Sequence, residues 1–229
     1  MQYVIDPPPV PSLPVQGGGR FPVRRIYCVG RNYAEHAAEM GQTGREPPFF
    51  FMKPADALLP VAEGVGEMDD PGLTADLQHE IELVVALGRD AAGIRADAAA
   101  ACIWGYAVGL DMTRRDLQGR MKAQGRPWEI AKAFEQSAPV GPLVPKSHCG
   151  LLQRGAITLS VNGSLRQRGD LAAMIWSVDE TIAQLSTAWH LRAGDLIFTG
   201  TPAGVGRVVR GDRMDGAIAG LPPLAVVVR

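Results

Sequence analysis

Residues 79–87 read HEIELVVAL, and this run constrains the fold more than any other stretch of the chain. Ile81, Leu83, Val84 and Val85 give it strand character. Side chains two apart on a strand share a face, so Glu80 and Glu82 project together while Ile81 and Leu83 project the opposite way. A second apolar run, residues 103–110, ends in Asp111. Laid side by side, these strands bring three carboxylates to one point. Two readings fit. The E-x-E alternation suits a solvated strand face, with the aspartate capping a helix. Alternatively, Glu80, Glu82 and Asp111 surround a divalent cation, which removes the repulsion and desolvation cost of buried like charges. An all-oxygen set without Cys or His suits Mg²⁺, Mn²⁺ or Ca²⁺ better than zinc.

The residues that follow bear on the choice. Arg114, Arg115 and Gln118 open an expected helix, with Thr113 and Asp116 placed to form its capping box. Arg115 and Gln118 are three apart and share a helix face. A guanidinium and an amide beside a metal make a clamp for a carboxylate or oxyanion.

At 229 residues the chain suits one large domain with its own core. The net charge is −1 and no Lys/Arg run occurs, so nothing points to nucleic acid or an anionic membrane. No segment approaches the ~20 apolar residues of a membrane span. The start, MQYVIDPPPVP, lacks the basic and apolar regions of a secretory signal. Cys28, Cys102 and Cys149 are odd in number and widely spaced, which predicts reduced thiols in a cytoplasm. Cys28 and Cys102 lie in apolar runs and read as small core residues.

Residues 1–20, rich in Pro and then Gly, read as an extended N-terminal arm, leaving residues 21–229 as the domain. A helix is expected over 33–40, ended by Gly41 and Gly44. His36 and Glu39 are adjacent on it. They form either a surface histidine with an incidental acidic neighbour or a base held by a carboxylate on a closing lid. Phe49, Phe50 and Phe51 read as core, or one of the rings lines a pocket. Lys132 lies between Ala131 and Ala133 near Trp128, which allows an inward position. Asn162-Gly163 between two strand-like runs predicts a tight hairpin. Ser177 and Glu180 form a second expected capping box, before a core stripe of Ile182, Leu185 and Trp189.

After a strand at 195–199 comes TGTPAGVG, residues 199–206. It lacks the Gly-Lys-Ser/Thr of a P-loop and the spacing of the dinucleotide fingerprint. It reads as a tight loop that is either purely structural or offers backbone N–H groups and Thr201 to a small anion. Strands dominate, with two or three helices between them. The expected fold class is α+β, built on a mixed, mostly β-strand and partly closed sheet.

Seven stretches occur in collinear order: VGRNYAEHAAEMG, FFFMKPADAL, HEIELVVALG, GYAVGLDMTRRDLQ, AKAFEQSAPVGP, SVNGSLRQ and IFTGTPAGVG. Together they resemble the fumarylacetoacetate hydrolase family in its short, single-domain form, over about residue 21 to the C-terminus. The opening and the GRFPVRRIYCVGRNYAEHA junction are most like its bacterial fumarylpyruvate hydrolases. The resemblance implies a β-roll fold, Mg²⁺ or Mn²⁺ as cofactor and a homodimer. It places the metal carboxylates on Glu80, Glu82 and Asp111 and the catalytic pair on His36 and Glu39. Lys132 falls on its oxyanion-stabilising position, and Arg115, Gln118 and Thr201 on its substrate-binding positions. The implied reaction is metal-dependent C–C hydrolysis of an acylpyruvate, with fumarylpyruvate expected first and other 2-oxo or 2,4-dioxo acids within the class. Relatives that decarboxylate oxaloacetate or isomerise dienoic oxo acids keep those reactions open. A third reading is a non-catalytic protein that binds a divalent ion.

Overall fold

The computed structural model describes residues 3–33 and 45–229. The expected helix with His36 and Glu39 lies outside these residues. Among the described residues no helix is long and apolar enough to cross a membrane.

The main sheet contains β1 (Arg25–Gly30), β2 (Phe49–Lys53), β3 (Leu58–Pro60), β4 (Ile81–Leu87), β5 (Ile103–Leu110), β6 (Ala138–Val140), β7 (Val144–Pro145) and β8 (Asp195–Phe198). Its order is β2-β1-β8-β4-β5-β6-β3, with β7 also paired to β5. The sheet is mixed: β8 runs parallel to β1 and β6 parallel to β3, while β4 is antiparallel to both β5 and β8. Together with the few short helices, this is the expected α+β class.

Strand β4 is buried along its whole length, as a central strand covered on both faces must be. Ile81, Leu83, Val85 and Leu87 face a second, five-stranded sheet that supplies Ile157, Leu159, Met214 and Val226. Val84 and Ala86 face the opposite way, onto Leu13, Phe21 and Phe198. Leu13 lies in Ser12–Pro14, which pairs with Arg20–Pro22, and it is fully buried. The solvated-face reading of the E-x-E run therefore fails, because neither face of β4 meets water.

Several local expectations hold. The hairpin turns at Asn162 and Gly163, both at positive φ (50° and 77°), which the tight turn requires. Ser177 and Glu180 form a complete capping box at the head of helix Val178–Ala188, and Ile182 and Leu185 are buried beneath it. The other capping box does not form. Thr113 belongs to a short strand paired with Leu77–His79, and its hydroxyl donates to Asp111 O. Asp116 accepts instead from Thr74, Ala75 and Leu117. The helix Arg115–Ala123 starts without a side-chain cap.

Beside β1, the fully buried Asp195 accepts a two-pronged bond from Arg25 (2.8 and 3.1 Å) and a third from Arg192 N (2.8 Å). Removing one partner of a buried pair leaves an uncompensated charge. Asp195→Ala is expected to destabilise the protein by about 3 kcal/mol, the low end of such losses because Arg25 keeps contact with water. Urea unfolding of both proteins measures it.

Candidate metal centre

Two strands of different sheets meet at Glu80. Leu77–His79 pairs with Thr113–Arg114 and Gly206–Val208, whereas β4 begins at Ile81. Glu80 sits at the junction, and its carbonyl accepts from Asp111 N (2.8 Å), one step beyond the Ile81–Leu110 pair. This register places Asp111, just past the end of β5, beside Glu80 and Glu82. One carboxylate oxygen from each of the three residues lies within 4.8 Å of the others, and all three residues are buried.

Cations compensate the charges. Lys132 Nζ donates to Glu80 Oε2 and to Asp111 Oδ2, both at 2.8 Å. Lys53 Nζ lies 2.9 Å from Asp111 Oδ1 and donates to the carbonyls of Met112 and Lys132. Arg115 Nη2 donates to the other oxygen of Glu80. Glu82 accepts only a backbone bond, from Gly200 N (2.7 Å), among the described residues. Burial, then Asp111 and Glu80, push its carboxyl well above the usual carboxylate range. At Lys132 burial acts to lower the pKa, but Asp111 and Glu80 together outweigh it, so the ammonium is held above its ordinary value. A hard divalent ion fits this donor set: the oxygens converge, no softer ligand is among them, and Glu82 has no ion pair among the described residues.

The sequence-predicted residues divide as follows. Glu80, Glu82, Asp111 and Lys132 come together in one buried cluster. Arg115 and Gln118 stand beside it, with Arg115 Nη1 donating to Gln118 Oε1 (2.6 Å) and Nε to Gln78 (2.8 Å). Among the described residues, two guanidinium N–H groups of Arg115 and the Gln118 amide nitrogen have no acceptor. Thr201 requires a correction. Its hydroxyl donates to Ile81 O (2.7 Å) and accepts from Gln167 Nε2 (2.8 Å), so it has no proton left for a carboxylate. The Gly200 N–H, likewise, already serves Glu82.

Sequence reasoning missed Lys53. It ends the apolar run FFFMK and reads as the charged end of an edge strand, yet it is fully buried. No local signal marks it, since Phe49, which shares its parity along β2, is itself exposed. Gln167 was also missed. It receives Ile81 N, faces His79 Nδ1 and donates to Pro202 O and Thr201, tying the strand junction to the loop. His79 is buried on that side network, and burial lowers its pKa despite the Gln167 contact.

The family model described as fumarylacetoacetate (FAA) hydrolase C-terminal matches residues 25–229. The chain belongs to the fumarylacetoacetate hydrolase family. Within the family it is similar to the fumarylpyruvate hydrolase of Pseudomonas aeruginosa, whose crystal structure contains Mn²⁺ and pyruvate. That likeness has 55% identity and a TM-score of 0.97, and covers 99% of each chain. The fumarylpyruvate hydrolase of a Ralstonia species is 41% identical over 80% of this chain and 93% of its own. The oxaloacetate tautomerase of Escherichia coli (strain K12) is also 41% identical, over 85% and 88% of the two chains.

The elevated pKa of Glu82 sets a sign for metal binding in this family member. Below that pKa the metal-free carboxyl holds a proton, which an entering cation must displace. Mn²⁺ affinity is therefore expected to rise with pH until Glu82 ionises unaided, with protons released on binding. Calorimetric titrations at several pH values, in buffers of different ionisation enthalpy, measure both quantities.

Proposed function

We propose that the protein is a metal-dependent hydrolase of acylpyruvates, with fumarylpyruvate as the preferred substrate and fumarate and pyruvate as products. The observation that carries the reading is the convergence of three buried carboxylates flanked by Lys132, Arg115 and Gln118. The 55% identical relative with Mn²⁺ and pyruvate supports it. Mg²⁺ or Mn²⁺ suits the oxygen set equally. The cation supplies positive charge and Lewis acidity against the negative charge that develops on the departing pyruvate.

The residues divide the remaining work. The free N–H groups of Arg115 and the Gln118 amide hold the 2-oxo acid carboxylate. His36, oriented by Glu39, takes a proton from water as the water oxygen bonds to the distal carbonyl carbon. The C–C bond to the pyruvate methylene then breaks, and its electron pair passes into the pyruvate enolate, which is reprotonated. Lys132 donates to the oxyanion that forms on the distal carbonyl. The formal charges of Glu80, Glu82 and Asp111 match those of Lys53, Lys132 and Arg115. A divalent cation thus leaves two positive charges, complementary to a carboxylate plus an enolate. The family resemblance supports a homodimer, and the three free cysteines support a cytoplasmic setting.

A second reading, oxaloacetate tautomerisation or decarboxylation, has the 41% identical Escherichia coli relative in its favour. It needs the same cluster but no attacking water. The 55% identity over nearly the whole of both chains favours hydrolysis.

With Mn²⁺ or Mg²⁺, the ultraviolet absorbance of fumarylpyruvate should fall while pyruvate forms in equal amount. Glu82→Gln should lower kcat/KM by about 10³-fold or more with an unchanged circular dichroism spectrum. Full activity in chelator-treated enzyme overturns the reading. His36→Ala should lose about 10²–10⁴-fold in hydrolysis while still binding pyruvate. Undiminished hydrolysis in this variant removes His36 from the mechanism.

A further inference from the structure

Tyr33 closes the first described segment, where its backbone bridges to Met174. Its side chain is buried, with the residue 3% exposed, and its hydroxyl has no hydrogen-bond partner among the described residues. A buried phenol without an acceptor is an uncompensated desolvation, and such groups are uncommon unless ordered water or a ligand satisfies them. The ring lines a cavity of about 290 Å³ with Arg168, Gly169, Asp170, Pro202 and Ala203. At roughly 30 Å³ per water, that is room for a group of several heavy atoms.

The cavity adjoins the carboxylate cluster through the loop that supports it. Pro202 and Ala203 follow directly on Thr201, whose hydroxyl is bonded to Ile81 O between Glu80 and Glu82. Pro202 O accepts from Gln167 Nε2 (2.8 Å), which fixes this wall. Asn32, next to Tyr33, bonds Thr199 O (2.8 Å) and packs closely against Gly200, whose N–H holds Glu82. The Thr201 loop is thus a wall shared by the carboxylate cluster and the Tyr33 cavity.

One cation and one carboxylate, Arg168 and Asp170, line the cavity. Arg168 stands exposed on the hairpin strand, and its guanidinium makes no hydrogen bond or ion pair among the described residues. Asp170 is the opposing charge, but one of its carboxylate oxygens accepts from Ala172 N (2.8 Å) and Gly155 N (3.1 Å). Those bonds hold Asp170 within its own turn.

We propose that Tyr33 and Arg168 bind the second carboxylate of a dicarboxylic acylpyruvate, at the end of the acyl chain away from the reacting carbonyl. This deepens the proposed function and rests on it for the 2-oxo acid end. Tyr33 donates its hydroxyl proton to one carboxylate oxygen, and Arg168 supplies the countercharge at the mouth. The pair makes the enzyme selective for a fumaryl over an acetyl group.

The test compares wild type, Tyr33→Phe and Arg168→Gln on fumarylpyruvate and acetylpyruvate. The ratio of the two kcat/KM values should fall at least tenfold in each variant, mainly through KM for fumarylpyruvate. A ratio unchanged within twofold, or equal losses on both substrates, overturns the proposal. Tyr33→Phe removes only an unpartnered hydroxyl, so its melting temperature without ligand should not fall; a clear fall assigns the hydroxyl a structural role instead. Binding of fumarate against crotonate to the Mn²⁺-loaded protein separates this proposal from the reaction itself. If wild type cleaves neither substrate yet prefers fumarate, and Arg168→Gln loses that preference, the subsite stands and the hydrolase reading falls. Equal binding of the two acids by wild type overturns the subsite.

Discussion

Three carboxylates buried within a few ångströms of one another are the constraint to which the surrounding structure answers. Unmatched, such charges would neutralise by taking up protons or would open the site to water. The fold answers with cations brought from separate places: Lys53 from the end of β2, Lys132 from a one-turn helix and Arg115 from the first turn of another. Among the described residues, Glu82 is left with a single backbone N–H. The cluster is thus matched at two of its members and short at the third, which is the arrangement a site for an added cation requires.

A second layer of polar groups holds the frame. Gln167 links the strand junction to the Thr201 loop, and Asn32 links the entry of the segment beyond residue 33 to the same loop and to Trp176. Both amides are fully buried with their donors and acceptors engaged, so they fix geometry instead of loosening it. Thr201 belongs to this frame. Its hydroxyl and the neighbouring Gly200 N–H are engaged by Ile81, Gln167 and Glu82.

The legible part of the protein was whatever depends on short-range spacing. The Asn162-Gly163 hairpin, the Ser177–Glu180 box and the parity of Glu80 with Glu82 follow from turn chemistry and a period of two, and all three occur. The expected Thr113–Asp116 box obeyed the same logic and did not form, because Thr113 was drawn into a strand with Gln78 and Asp116 into bonds with residues 74 and 75. Tertiary pairing outweighed the local signal. Lys53 stayed hidden because a lysine at a strand end is ordinarily solvated. Only the position of β2 against the Lys132 helix shows that this one is enclosed.

The sequence by itself determined the elements of the centre. It set the identity and number of the acidic residues, their phase along the strands, the absence of softer ligands and the family to which the chain belongs. Tertiary structure alone decided that the strand pair is covered on both faces, that Lys53 joins the cluster, and that the Thr201 hydroxyl is already engaged. The reason is physical. Phase along a strand is a property of a few consecutive residues, whereas burial and the sharing of a hydrogen-bond donor depend on which distant segments arrive at the same point.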